Sequence, residues 1–319
     1  MSDVLHELRP SPHNSRRRSA AAILLVAPMA VLGIELAPIF SDDPIVPAWL
    51  GWVVAEIAIS AESIESHGVV VTEVELPLSF DRGMVTSRGS RLKLGDGDLK
   101  VTFRHDPEGH TYLSGRGHDI HLGRIDALDE YVDGVPVGIA FDLEGMGGSA
   151  REIAASAAGH LKLRNTAGGA IKKFAGAKGN PLVELLAVLN PFQNKNSATP
   201  VECLAIELHI TNGAGEFEHG FELQTQRINV IGGGRIDLAE ETLHIVFKPE
   251  ARQGVNLSSL AAGDVVTLQG SLASPEVKIM TGPVLEKAFS LGATVATLGG
   301  LTSNRLLCAN EAQPKPSQP

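Results

Sequence analysis

The sequence predicts a mainly β protein whose strands form one long antiparallel sheet. Apolar and polar residues alternate over most of the chain after residue 50, which is the pattern of strands with one buried face. Short turn-forming groups, such as Gly95-Asp96-Gly97 and the residues from Asp106 to Gly109, separate these runs. About twelve strands joined in this way indicate an antiparallel meander, because parallel strands need long crossover connections.

The composition favours a folded domain and argues against a nucleic-acid partner. Hydrophobic residues make up 43% of the 319 residues, which is enough to bury a core. The formal net charge is −10, opposite in sign to a phosphate-binding surface, and aromatic residues amount to only 4%. We therefore expect no nucleic-acid partner.

The N-terminal segment has the features of a membrane anchor. Residues 1–19 are polar and end in three arginines, and Ala20 to Ile34 is an apolar run of 15 residues. With one acidic residue allowed, the run continues to Phe40, which approaches the length of a transmembrane helix. Arginines before the run and acids after it predict a cytoplasmic segment at 1–19 and an uncleaved anchor at 20–40. A cleaved signal peptide and a buried helix kinked at Pro28 remain as alternatives.

A connector containing prolines and tryptophans, 41–52, leads into the strands, which we expect to form one domain from 53 to 282. The clearest strand has an apolar residue at every second position. Its apolar set is Val135, Val137, Ile139, Phe141 and Leu143. A second set further along the chain is Leu204, Ile206, Leu208 and Ile210.

The most regular part of the chain is the stretch 221–249. Leu243, Ile245 and Phe247 are predicted on one face of their strand, because they alternate with Thr242, His244 and Val246. A polar break at 239–241 predicts a turn before this strand. The three glycines at 232–234 predict a bend or bulge where a side chain would not fit.

Three short helices are predicted beside the strands. The first begins at a capping box formed by Ser149 and Glu152 and ends at Gly159. The second covers about 181–189, with a cap at Asn180 and Pro181 at its first position. The third is an apolar C-terminal helix at 283–302, and the tail at 303–319 is predicted to be disordered.

Motifs in the second half of the chain resemble a known family. They are Leu223-Gln224-Thr225 and the segments 229–238, 241–249 and 268–277, and their order and spacing resemble the C-terminal region of AsmA-like proteins of the Gram-negative envelope, the group that includes TamB and YhdP. The repeating strands from 53 to 171 resemble the same family. The chain is shorter than many members, and about a dozen strands would stack to roughly 55–60 Å. We therefore expect a short paralogue, a fragment or one unit of an oligomer.

The resemblance implies a fold and a function. The long twisted sheet would curl into a β-groove, the N-terminal anchor would lie in the inner membrane, and the bulk of the chain would lie in the periplasm. The groove would bind phospholipid and support lipid transport between the inner and outer membranes, without catalysis. The lipid-facing candidates are the three apolar sets: Val135, Val137, Ile139, Phe141, Leu143, Leu204, Ile206, Leu208, Ile210, Leu243, Ile245 and Phe247. The alternative is an assembly factor that regulates the targeting and insertion of outer-membrane proteins through strand or apolar-face contacts.

Physical chemistry alone leaves the closure of the sheet open. Each buried Val, Leu, Ile or Phe side chain stabilises the fold by roughly 1.5–3 kcal/mol, so an apolar face of this size must be covered. The sheet can close on itself as a barrel or sandwich, or it can curl around acyl chains.

Two patterns resemble catalytic or cofactor sites, but neither is a convincing one. The run from Gly145 to Ala150 matches a dinucleotide-binding fingerprint, but the strand before it alternates with acids and the helix after it is short. His118 and His121, like His105 beside Asp106, are arranged like metal ligands, but in a regular strand His118 and His121 would face opposite sides. We therefore expect no cofactor, no metal and no enzymatic activity. Two cysteines, Cys203 and Cys308, either form one disulfide in an exported domain or stay unpaired.

Overall fold

A computed structural model describes residues 38–66, 69–125, 128–165, 167–172, 184–185, 198–226, 228–252, 265–280 and 307–308. The prediction of a mainly β chain is confirmed, since the described residues form one large antiparallel sheet of fifteen strands. The strands are β1 (Val54–Ser66), β2 (Val69–Asp81), β3 (Met84–Leu94), β4 (Gly97–His105), β5 (His110–His121), β6 (Val132–Asp133), β7 (Pro136–Met146), β8 (Ala158–Asn165), β9 (Ala170–Ile171), β10 (Thr199–Thr211), β11 (Ala214–Thr225), β12 (Ile228–Asp237), β13 (Thr242–Ala251), β14 (Val265–Ser271) and β15 (Ser274–Met280).

The sheet is a meander in which the strands pair in chain order, apart from two very short strands that lie off the main path. Its order is β1-β2-β3-β4-β5-β7-β8-β10-β11-β12-β13-β14-β15, and the two-residue strands β6 and β9 pair with each other beside β10. Within the described residues β1 and β15 pair on one side only, so this ladder of strands is open at both edges. At about 4.8 Å between strands, the thirteen strands of the main path stack over roughly 58 Å.

The helix predicted after β7 is present as α1 (Ala150–Ser156). The predicted cap is confirmed, because the Ser149 side chain accepts the N–H of Glu152 at 3.2 Å. The return bond of the capping box is shifted by one residue, since the Glu152 carboxylate accepts the N–H of Gly148 at 2.7 Å. The helix ends before the predicted stop, and Gly159 lies in β8. Two residues of the second predicted helix, 184–185, are described and are helical, and the rest of it lies outside the described residues.

A segment that we call the N-terminal strap, residues 38–53, crosses one end of the sheet, which we call the strap end. The N–H of Ile39 donates to the Glu241 carboxylate in the β12–β13 turn at 2.8 Å. The N–H of Ile45 donates to the carbonyl that precedes the cap of α1 at 2.9 Å, and the β2–β3 turn donates an N–H to the Val53 carbonyl at 3.0 Å. The predicted connector at 41–52 is thus held against the sheet along its length, and it ends in a 3₁₀ helix at Ala48–Trp52.

The bend or bulge predicted at the three glycines of β12 occurs instead in the neighbouring strand β11. β12 keeps continuous register with β13 through 232–234. The register shift lies instead on the β11 side, between Phe217 and Phe221. The prediction that side chains would not fit holds at Gly232, where an added Cβ would lie 2.8 Å from the Phe247 ring.

The predicted anchor at 20–40, apart from its last residues 38–40, lies outside the described residues, and so does the predicted C-terminal helix at 283–302. Among the residues that the structure describes, none of the helices has the length and apolar character needed to cross a membrane. Leu307 and Cys308 are the described part of the predicted tail.

Candidate functional site: the apolar face of the sheet

The three apolar sets predicted from the sequence lie on one face of the sheet, which we call the apolar face. Strand register establishes this. Ile139 of β7 pairs with Leu163 of β8, which pairs with Ile206 of β10. Ile206 pairs with Phe221 of β11, and the same row continues through β12 to Phe247 of β13. Side chains in one such row point the same way, so one row joins members of all three sets.

The row crosses ten neighbouring strands. Its members, from β3 to β14, are Leu92, Leu99, Gly117, Ile139, Leu163, Ile206, Phe221, Gly232, Phe247 and Val266. A second row runs parallel to it through Leu143, Gly159, Ile210, Gly215, Ile236 and Leu243. Every member of both rows is apolar or glycine, so the apolar face is continuous across most of the sheet.

Burial along the apolar face differs between the three sets. Val135, Val137, Ile139, Phe141, Ile210, Leu243, Ile245 and Phe247 are buried, and Leu143, Leu204, Ile206 and Leu208 are partly exposed. Val135 lies just before β7 rather than in it, with a φ of 44°, but its side chain stays in the same cluster. Among the three sets, the partly exposed members are concentrated on β10.

Sequence reasoning missed part of this face. Leu99, Leu113 and Ile120 of β4 and β5, and Val266 and Leu268 of β14, belong to the same buried cluster. The alternation of apolar and polar residues was visible in β4 and β14. In β5 the sequence is Leu-Ser-Gly-Arg-Gly, and the glycines at 115 and 117 occupy positions where the pattern would need large apolar residues. The Phe141 ring fills the space above Gly115, where an added Cβ would lie 2.2 Å from the ring.

Buried polar groups lie on the apolar face at the strap end. His105 of β4 and Thr111 of β5 are paired in register, and their side chains are 2.8 Å apart. Burial lowers the pKa of His105, although nearby Asp106 favours its charged form. The pKa of Asp106 lies below its usual value. Burial by itself would raise this pKa, but hydrogen bonds from His110 stabilise the carboxylate and outweigh the effect of burial.

The opposite face of the sheet is largely charged and exposed. Side chains from adjacent strands pair there, such as Lys162 with Glu207 at 3.6 Å and Arg91 with Glu75 at 2.8 Å. Exposed pairs of this kind contribute little stability, about 0–1 kcal/mol each. The two faces therefore differ sharply in polarity, and only the apolar face suits an apolar ligand.

Two patches of the opposite face are buried. Ile231, Val246 and Val265 form a small cluster on β12–β14. On β10 and β11, Cys203 forms a disulfide with Cys308, and Glu222 is 2% exposed and accepts the N–H of Cys308 at 2.8 Å. The disulfide was one of two alternatives left open by the sequence, and it places Cys308 on this face.

The apolar face becomes more exposed towards β1. Ile57 and Ile59 of β1 pair with Leu78 and Leu76 of β2, so they continue the apolar face. Their exposed fractions are 48% and 42%, whereas Ile139 in the middle of the sheet is 6% exposed. The side chains of the apolar face are therefore buried in the centre of the sheet and exposed to solvent along β1.

The dinucleotide-like run and the histidine pair take other roles. β7, which precedes the run at 145–150, is antiparallel to both of its neighbours, so no parallel strand-helix-strand unit is formed there. The prediction that His118 and His121 face opposite sides is wrong, because a bulge between Gly117 and Ile120 returns His121 to the face of His118. Even so, no group of three His, Cys, Asp or Glu side chains in the described part of the chain is placed to hold a metal ion.

Comparisons of the chain with protein-family models, with curated proteins and with solved structures find no match. The candidate site is therefore defined by geometry alone. It consists of an apolar face that is continuous across ten strands, buried in the centre and exposed along one edge.

Proposed function

We propose that this protein is a non-enzymatic envelope protein of the AsmA-like type. It binds phospholipid acyl chains along its apolar face and supports lipid transport between the inner and outer membranes. The observation that carries the proposal is the row of apolar residues and glycines that joins ten consecutive strands. An acyl chain needs a long apolar surface without polar interruption, and each buried CH₂ contributes about 0.8 kcal/mol.

Curling of the sheet into a groove is part of the proposal. Arg151 of α1 and Glu241 of the β12–β13 turn form an ion pair at 3.3 Å. Three strands of the sheet, β8, β10 and β11, lie between β7, which leads into α1, and β12. In a flat sheet β7 and β12 would be about 19 Å apart, so this direct contact supports curvature. Among the described strands, β1 and β15 have no partner on their outer sides, and these edges favour a groove over a closed barrel.

Anchoring in the inner membrane and a periplasmic location are also proposed. The apolar run at 20–40, with arginines before it and acids after it, supports an anchor with a cytoplasmic N-terminus. The Cys203–Cys308 disulfide supports a location outside the cytoplasm, because such bonds persist in oxidising compartments such as the periplasm. Both features agree with a lipid-binding face exposed to the periplasm.

The test is purification of the full chain from membranes in a mild detergent, followed by mass spectrometry of the extracted lipid. We expect about one or more phospholipids per chain. Ile139→Asp places a charge in the middle of the apolar face and should abolish lipid retention. Ile206→Asp, on the same row but at a partly exposed position, should do the same with less effect on folding.

Ala140→Asp is the matched control, because it adds the same charge to the next residue on the opposite face. Ala140 pairs with Arg116 and Lys162, so a carboxylate is tolerated there. Circular dichroism and formation of the disulfide report whether each variant folds. A folded wild-type protein without lipid, or equal lipid retention in Ile206→Asp and Ala140→Asp, would contradict the proposal.

An assembly factor for outer-membrane proteins is the second candidate, and one observation favours it. β1 is 13 residues long and has no partner on its outer side among the described strands, so its backbone groups are open to an added strand. A photo-crosslinking residue at Glu56, on the free edge strand, would trap a barrel protein under this hypothesis. The same residue at Ile139 would trap lipid under the first hypothesis.

A further inference from the structure

The exposed apolar side chains of the described residues are concentrated in one short stretch. Of the ten large hydrophobic residues that are exposed, six lie between Trp49 and Ile64. The most exposed are Trp52 at 90%, Val54 at 71% and Trp49 at 66%. Single exposed apolar residues are normal, but a group of this size marks a contact surface.

The three most exposed of these residues lie at a corner of the sheet where the strap end meets the β1 edge, whereas Ile64 lies near the other end of β1. The 3₁₀ helix that carries both tryptophans is held there, since an added Cβ at Gly83 in the β2–β3 turn would lie 3.8 Å from the Gly51 Cα. The β2–β3 turn also donates a backbone hydrogen bond to the Val53 carbonyl. The tryptophans are therefore presented on a supported backbone. We call Trp49, Trp52 and Val54 the tryptophan corner.

The chain enters the described structure at the same end of the sheet. Ile39 and Phe40 donate their N–H groups to Glu241, at 2.8 and 3.2 Å, in the β12–β13 turn. The apolar run that starts at Ala20 ends at these residues. The tryptophan corner and the last residues of that run thus lie at the same end of the sheet, the strap end.

The local composition fits a membrane interface. Between Asp43 and Glu56 the chain has twelve consecutive residues without charge, 44–55, and this stretch contains both tryptophans. Tryptophan prefers the headgroup level of a bilayer, because its ring is apolar and its N–H is polar. The acids that flank the stretch are exposed and disfavour an anionic lipid surface, so a zwitterionic surface is the better match.

We propose that the tryptophan corner rests on the bilayer surface beside the anchor, as a second membrane contact made by the folded domain. The inference rests on the proposed anchoring and goes beyond it, because an anchor alone leaves the domain free to tumble. Contact at this corner orients the strap end towards the membrane. It also brings the exposed β1 edge of the apolar face close to the lipid surface.

The experiment uses the intrinsic fluorescence of the protein, because Trp49 and Trp52 are its only tryptophans. The full chain is reconstituted in three kinds of phosphatidylcholine vesicle: without bromine, with lipids brominated near the glycerol backbone, and with lipids brominated at the end of the acyl chain. We expect tryptophan emission at a shorter wavelength than that of tryptophan exposed to water. We also expect weak quenching by acrylamide and strong quenching by the lipid brominated near the glycerol backbone. Trp49→Phe and Trp52→Phe assign the signal to each side chain.

Three results would overturn the inference. Full acrylamide access with no bromine quenching would mean that the corner lies in water. Protection from acrylamide that rises with protein concentration, without bromine quenching, would mean that a second copy covers it. Quenching only by bromines at the end of the acyl chain would mean that it is inserted deeply. The phospholipid retained by Trp49→Phe, measured in the same preparation, shows separately whether the lipid-binding proposal stands.

Discussion

Phe221 and Phe247 are in contact although a whole strand, β12, lies between the strands that carry them. Their ring centroids are 5.1 Å apart and the rings are nearly perpendicular at 85°, which is a favourable edge-to-face geometry. Gly232 pairs in register with both residues. The rings meet above Gly232 because it has no side chain.

Gly232→Ala should therefore destabilise the fold. The added Cβ would lie 2.8 Å from the Phe247 ring and 3.0 Å from the Phe221 Cβ, so the rings must separate. We expect the free energy of unfolding to fall by about 1–3 kcal/mol in urea titrations, as for other overpacked sites.

Gly168→Ala is the matched control, since nothing lies within 4 Å of its added Cβ. It should leave stability unchanged or raise it by about 0.4–1 kcal/mol through the unfolded state. Equal stability of the two variants would show that the aromatic contact across β12 does not form.

Glu241→Ala should release the start of the N-terminal strap. The Glu241 carboxylate accepts the N–H groups of Ile39 and Phe40 and pairs with Arg151, and its side chain is largely buried. Hydrogen exchange at Ile39 and Phe40 should become faster, and stability should fall by about 1–3 kcal/mol because partly buried donors lose their acceptor. Glu240→Ala, at the exposed neighbouring position, should leave both measurements unchanged. Slow exchange retained in Glu241→Ala would mean that other contacts hold the strap.

Loss of the disulfide should lower stability and release Cys308 from β10. Cys203 and Cys308 are 105 residues apart in the sequence, and a loop of this length is worth up to about 4.7 kcal/mol in the chain-entropy model. We expect the double variant Cys203→Ser, Cys308→Ser to lose about 2–5 kcal/mol in denaturant titrations. A reducing agent should produce the same loss in the wild type and none in the variant. An unchanged wild type under full reduction would contradict a stabilising role.

His105 should make stability depend on pH. Burial lowers the pKa of His105 from its ordinary 6.5, so the unfolded state binds its proton first as pH falls. Stability should therefore be constant above about pH 7 and decrease as pH falls from 6.5 towards the lower folded value. His105→Gln should flatten this part of the curve, measured by urea titration at each pH.

Asp106 provides the internal check on that curve. Its pKa is lowered from 3.8 in the folded protein, so its stabilising effect is present above pH 3.8 and is lost only below that value. Loss of stability between pH 7 and 5 that persists in His105→Gln would show that a different group is responsible.

Much of the fold and of the candidate site could be predicted from local patterns. The alternation in β7 and β13 placed Ile139, Phe141, Ile245 and Phe247 on one face, because side chains of a strand alternate between its faces. The capping box at Ser149 marked the start of α1, because the groups that satisfy a helix start lie within a few residues. Alternation failed at His121, where one bulge reversed the faces.

Local patterns determined which residues form strands, where the chain turns and which side of each strand is apolar, because these features depend on neighbours in the sequence. Only the tertiary structure decided that rows from ten strands align into one face, that Glu241 holds residues two hundred positions away, and that Cys203 meets Cys308. These contacts depend on strand register and on closing loops between residues that are far apart in the sequence. Their entropic cost is met by many weak contacts together, so no single stretch of sequence encodes them.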